Sequence, residues 1–166
     1  MSTENGQAKS AGNVKVGDQA PDFTLSDQAG KEVHFNELLG KKSIVLYFYP
    51  KDETAGCTAE ACAFRDSYET FKDEGAEVVG VSSDSTAAHQ KFATKHRLPF
   101  ILLSDTDGRV RKRYGVPTTL GILPGRVTYV IDKQGIVRHI FSAQFTPEKH
   151  ITEALKTLQN LEKEQV

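Results

Sequence analysis

The chain has 166 residues, of which 38% are apolar, with 21 basic and 22 acidic side chains for a formal net charge of −1. That length suits one compact domain and is short for two, and the near-zero charge offers no general attraction to nucleic acid or to an anionic membrane. The longest apolar run, Ile44 to Tyr49, falls far below the roughly 20 residues of a membrane helix, and Met1 to Lys15 lacks the apolar stretch of a secretory signal, so a soluble cytoplasmic protein is expected.

Met1 to Val14 is rich in Ser, Gly, Asn and Gln and reads as a polar, mobile tail before one domain over residues 15–166. Asp22–Leu25 and Glu32–His34 flank the turn-forming Asp27-Gln28-Ala29-Gly30 and predict a short hairpin. Ser43–Tyr49 is continuously apolar, β-branched and aromatic, which predicts a strand buried on both faces. Helical spacing follows from Thr58 to Asp73, with Ala61, Phe64, Tyr68 and Phe71 on one stripe. Glu77–Val81 is the next strand, Thr86–His96 a helix with Ala88 and Phe92 inward, and Pro99–Leu103 another strand. A short helix over Gly108–Tyr114 leads into a Gly-, Pro- and Thr-rich loop, Gly115–Gly125. Arg126–Ile131 and Ile136–Phe141 form a hairpin around Asp132-Lys133-Gln134-Gly135, and Pro147 opens a last helix with Ile151, Leu155, Leu158 and Leu161 buried. This order predicts an α/β fold, a central mixed β-sheet flanked by helices on both faces with an N-terminal β-hairpin, and thioredoxin-like topology is the best-known arrangement of that kind.

The chain has two cysteines, Cys57 and Cys62, too few for a secreted disulfide scaffold. A bridge between them would close a tiny loop and stabilise little, so the pair points to chemistry. Both lie in YPKDETAGCTAEAC, where a buried strand ends and a helix begins, which is where open α/β sheets place their sites. Cys57 at the N-cap or in the first turn would meet unpaired amide N–H groups and the positive end of the helix dipole, which favour thiolate over thiol. If Cys57 is the N-cap residue, Glu60 three positions on caps the helix backbone, and its charge slightly opposes that thiolate. Cys62, five residues on, sits about 7.5 Å along the helix and about 140° around it. The Cα separation is then about 8.7 Å, beyond the roughly 7 Å that a disulfide spans without backbone movement. If the two sulfurs are to meet, the first turns of the helix must unwind. Buried small hydrophobes are the plain alternative for both cysteines. The histidines, His34, His89, His96, His139 and His150, are scattered, give no zinc-ligand spacing, and default to surface or structural roles.

Pro50-x-x-x-Thr54-x-x-Cys57 resembles the peroxidatic-cysteine signature of peroxiredoxins, and YFYPKDETAGCTAEACAFRDSY is similar to the Q type, the bacterioferritin comigratory protein group of atypical 2-Cys enzymes. The resemblance runs from about Val16 to the C-terminal helix, through GDQAPDFTL, SDTDGRVRKRYGVP and LPGRVTYVIDKQG. It implies that Cys57 attacks peroxide and becomes a sulfenic acid, and that Cys62 resolves it as an intramolecular disulfide. It also implies that the Thr54 hydroxyl bonds thiolate and peroxide, that Pro50 shields the pocket, and that Arg126 holds the thiolate and the peroxide together. The implied substrates are hydrogen peroxide and organic hydroperoxides, the implied reductant is thioredoxin or a similar dithiol protein, and no cofactor or metal is needed. With the resolving thiol in the same chain, a monomer is expected. Ala55 departs from the pattern, since many relatives carry proline there. The family has plastid members, so a plastid is the alternative address. A thioredoxin-like disulfide reductase lacks its Cys-x-x-Cys here, and a redox-responsive binding protein or holdase remains the reading from another class.

Overall fold

The computed structural model describes residues 14–119 and 123–164. The expected polar tail lies outside the described residues except for Val14, as does the centre of the Gly115–Gly125 loop. Among the described residues, the main sheet has seven strands: β1 (Thr24–Asp27), β2 (Glu32–His34), β3 (Ser43–Phe48), β4 (Ala76–Ser82), β5 (Ile101–Ser104), β8 (Val127–Ile131) and β9 (Val137–Ser142). They lie in the order β2-β1-β5-β4-β3-β8-β9. The centre is parallel, β3 with β4 and β4 with β5. Both flanks are antiparallel, β1 with β2 and β5 on one side, β8 with β3 and β9 on the other. A two-stranded ribbon, β6 (Thr118–Thr119) and β7 (Leu123–Pro124), stands apart.

Every residue of β3 is buried, and its alternation assigns the two cores. Val45 and Tyr47 point into one, with Val78, Leu102 and Val130. That face is covered by α2 (Ala55–Asp66), α3 (Tyr68–Asp73), α4 (Thr86–His96) and α6 (Pro147–Glu164), through Phe64, Phe71, Phe92 and Leu158. Ile44, Leu46 and Phe48 point into the other, with Val79, Leu103 and Tyr129. This second core is closed by Phe35 from α1 (Phe35–Leu38) and by Val110 and Tyr114 from α5 (Arg109–Tyr114). A strand sealed on both faces cannot alternate polar and apolar residues, hence the uninterrupted SIVLYF.

The helix expected over Thr58–Asp73 is two helices: it begins at Ala55, capped by Thr54, and breaks at Ser67, whose N–H is shared between the Ala63 and Phe64 carbonyls at 3.2 Å. The apolar stripe runs across the break without marking it. Inward positions shift slightly: Ala88 is half-buried while His89 beside it is fully buried, and Leu155 is only partly buried while Ala154 and His150 fill its place. The short α1 was not foreseen, because four residues are too few for periodicity to register.

Candidate active site

The site forms where β3 ends and α2 begins. Cys57 is the third residue of α2 and only 1% exposed. The buried stripe of that helix is Cys57, Glu60, Ala61 and Phe64, spaced i, i+3, i+4 and i+7. Arg126, just before β8 and 5% exposed, crosses to meet it. Its Nη1 donates to Cys57 Sγ at 3.4 Å and to Glu60 Oε1 at 2.7 Å, and its Nε donates to the Gln144 carbonyl at 3.1 Å. A Cβ on Gly56 would lie 2.9 Å from Arg126 Nη2, so the bare glycine lets the guanidinium settle over the first turn of α2. The fork is fixed from three sides and delivers a permanent positive charge to one sulfur.

Glu60 therefore differs from its expected role. It does not cap the backbone, since the cap is Thr54, and it is fully buried against Arg126. Burial pushes its carboxyl up to about 8, against the opposing pull of Arg126. A protonated Glu60 still accepts from Arg126 and leaves the guanidinium charge to the sulfur, which removes the cost to the thiolate that sequence reasoning assigned to it. Behind Glu60, burial pushes His150 down to about 4, so its ring is neutral at physiological pH. Its Nδ1 accepts from the Thr128 hydroxyl at 2.8 Å and its Nε2 donates to the Ala143 carbonyl at 2.8 Å, fixing the turn that supplies Gln144. The Tyr47 hydroxyl is buried nearby without a hydrogen-bond partner, and burial raises it well above the ordinary tyrosine range.

The loop before Cys57 is held from below. Asp52 accepts from Tyr49 Oη at 2.6 Å and meets His89 Nδ1 at 2.6 Å, while His89 Nε2 donates to the Leu103 carbonyl at 3.0 Å. The Asp52 N–H donates to Asp84 Oδ2 at 2.8 Å, and Ser82 donates to the same oxygen at 2.6 Å. This clamp carries Glu53 at φ 65°, a left-handed conformation that a non-glycine residue adopts at a cost.

The structure thus brings Cys57 and Arg126 together and leaves the other expected residues further out. Thr54 is exposed, and its hydroxyl donates to the Lys51 carbonyl at 2.9 Å instead of to the thiol. Pro50 is half-buried at the end of β3. Cys62 is free and half-buried, with its Sγ 3.9 Å from His96 Nδ1, and α2 is unbroken between the two cysteines. Sequence reasoning missed Asp52, His89, Asp84 and His150 as parts of the site, and the pairing of Glu60 with Arg126. Glu60 alone left a signal: an acidic residue three positions from Cys57 falls on the apolar stripe and needs a buried cation.

The AhpC/TSA family pattern matches residues 16–140. The chain is 59% identical over 151 residues to "Peroxiredoxin Q, chloroplastic" of Triticum aestivum, covering 90% of this chain and 69% of that protein. It is 58% identical over 149 residues to the protein of the same name from Sedum lineare, covering 89% and 80%. Among solved structures, the peroxidoxin BcpB of Mycobacterium tuberculosis superposes with a TM-score of 0.83 at 40% identity, over 89% of this chain and 98% of that one. The chain belongs to the AhpC/TSA family. Within it, it is a peroxiredoxin of the Q type, an oxidoreductase that reduces peroxides with a cysteine thiol. The cytoplasmic expectation is corrected by the same comparison, since the plant relatives are named chloroplastic.

Proposed function

We propose that Cys57 is the peroxidatic thiol and that Cys62 resolves it within the same chain, on hydrogen peroxide and organic hydroperoxides. The observation that carries this reading is the buried Arg126 guanidinium, 3.4 Å from Cys57 Sγ, which favours the thiolate and the negative charge that grows on the departing oxygen. The Cys57 thiolate attacks the terminal oxygen, the S–O bond forms as the O–O bond breaks, and the leaving alkoxide or hydroxide takes a proton to become alcohol or water. Pro50 walls the pocket, and Thr54 reaches the peroxide after its side chain rotates away from Lys51. No metal or organic cofactor enters, because the peroxide bond is itself the oxidant.

Cys62 then displaces hydroxide from the Cys57 sulfenic acid. On an intact α2 the sulfurs stand too far apart, by the ideal helix separation of about 8.7 Å against a disulfide limit of about 7 Å. The first turns therefore unwind for this step, and thioredoxin or a similar dithiol protein reduces the product. An internal resolving thiol lets the chain work as a monomer. The chloroplast names of the plant relatives support a plastid address.

The reading is tested by adding one equivalent of hydrogen peroxide to reduced protein and following intact mass and free thiols. Rapid loss of both thiols with a fall of about two mass units is expected, as two hydrogens leave when the disulfide forms. Survival of both thiols would overturn it. Cys62→Ser should react once, lose thioredoxin-driven recycling and over-oxidise readily, and normal recycling in that variant would remove Cys62 from the resolving role.

A further inference from the structure

Cys62 has surroundings of its own, separate from those of Cys57. Its Sγ lies 3.9 Å from His96 Nδ1, at the last residue of α4, 34 positions away in sequence. The opposite ring nitrogen, Nε2, is buried without a hydrogen-bond partner and lies 3.7 Å from Glu53 Oε1. A carboxylate only accepts, so the tautomer that carries its proton on Nε2 faces Glu53 and turns the Nδ1 lone pair to the thiol. The ring is held edge-on against Phe92, with centroids 5.0 Å apart. Arg65, one turn along α2 from Cys62, donates to the His96 carbonyl at 2.8 Å and to Asp66 at 3.0 Å, and Cys62 is among the groups that raise its pKa. Lys95 reaches Glu53 at 3.4 Å. The charged and titratable groups around Cys62 are thus Arg65 and Asp66 from α2, His96 and Lys95 from α4, and Glu53 from the clamped loop.

We propose that Glu53, His96 and Cys62 form a nucleophile–base–carboxylate arrangement that prepares the resolving thiol, with His96 taking its proton and Glu53 orienting the imidazole. This rests on the reading of Cys62 as the resolving residue. Three features agree with it. The order thiol, imidazole, carboxylate is the one by which weak nucleophiles are activated, and such contacts are commonly long before the reacting partner arrives. The left-handed backbone of Glu53, held by the Asp52 clamp, puts its carboxylate at the far side of His96. Arg65 adds a fixed positive charge on the same helix face, one that favours an ionised sulfur. His96 holds the proton of Cys62, the thiolate attacks the Cys57 sulfur, and the S–S bond forms as the S–O bond breaks. Hydroxide leaves, and the imidazolium gives its proton back through solvent, so one water is released and the imidazole is restored.

Rapid-quench alkylation with intact-mass readout separates the two steps on the full chain. For His96→Gln, sulfenic acid formation at Cys57 should keep its wild-type rate. Disulfide formation near neutral pH should slow by about ten- to thirtyfold, the ceiling set by the few per cent of an ordinary thiol that is ionised there. The deficit should close as pH rises and solvent takes over the deprotonation, and Cys57 sulfinic acid should accumulate at excess peroxide. Glu53→Gln should show a smaller slowing with the same pH trend. Disulfide formation in His96→Gln at or above the wild-type rate would overturn the proposal, and so would a slowing that does not change with pH, which marks a merely structural role. If Cys62→Ser itself recycles normally, the failure belongs to the resolving role and not to His96.

Discussion

The two cysteines lie five positions apart on one helix and occupy opposite kinds of surroundings. Cys57 is sealed in the core, and its charged partner arrives from the residue before β8, with its Nε and Nη1 also engaged by Gln144 and Glu60. Cys62 is half-buried, touched by a ring near a helix end that itself meets the partly exposed Glu53. A site that stabilises charge on a transferring oxygen must be rigid before substrate comes, since reorganisation at the moment of reaction would be counted against the rate. A thiol that has to travel is better placed where few buried contacts break as it leaves. On the proposed roles, burial separates the two cysteines more clearly than the residue type does.

The sharpest way to break this contrast is to remove the buried sulfur. Cys57→Ser should abolish peroxide consumption while Cys62 stays titratable, measured by peroxide-electrode assay and thiol count, and retained turnover would reverse the assignment. Arg126→Lys keeps the charge but loses the planar fork that serves Glu60, Gln144 and Cys57 together. We expect its second-order rate with hydrogen peroxide to fall by about 100- to 1,000-fold, the usual effect of deleting one preorganised donor, with circular dichroism unchanged. A loss of only a few-fold would mean that charge alone suffices.

Glu60 and His150 sharpen the contrast through pH. The Glu60 carboxyl is raised from 4.5 to about 8, so its contribution to stability is full below about 4.5 and is lost as pH rises toward about 8, where only the unfolded state ionises freely. The His150 ring is lowered from 6.5 to about 4, so its contribution is full above 6.5 and is lost as pH falls toward about 4. Glu60→Gln should flatten the alkaline side of the stability curve, the fall from about 4.5 to about 8, and leave only the rise that His150 contributes between about 4 and 6.5, read by denaturant midpoints across that range. An unchanged alkaline side would show that Arg126 keeps Glu60 ionised in the fold. The same substitution should raise the variant-to-wild-type ratio of peroxide rates above about pH 8, where an ionised Glu60 competes for Arg126.

Much of this was legible in the sequence because it is written locally. Runs such as SIVLYF and the 3.6-residue stripe of the last helix carry their own period, and the Cys57 turn carries its own motif. Arg126 was legible only through resemblance, since nothing in its neighbourhood says that it crosses to α2. Asp52, His89 and Asp84 left no trace, being 32 and 37 positions from their partners and joined only when β4 and α4 pack beside the loop. The Ser67 break was hidden for a different reason: both helices bury the same face, so the apolar pattern continues across it.

Ala55 tests the mobile half of the contrast with the gentlest change. It is the first residue of α2, exposed, and directly after the helix cap. Proline suits that position, since its missing N–H is unpaired there in any helix and its fixed φ is helical. Proline also demands an extended residue before it, and Thr54 already has φ −84° and ψ 154°. Ala55→Pro therefore introduces no strain and should stabilise the chain by about 0.4–1 kcal/mol, by restricting the unfolded state. The rate of Cys57 with peroxide should not move, because the buried half of the site is untouched. Disulfide formation should slow by a few-fold if unwinding begins at the N-terminus of α2, as that end is now stiffer. An unchanged resolving rate alongside a raised melting temperature would place the opening further along, between Thr58 and Cys62, and leave the first turn folded throughout the cycle.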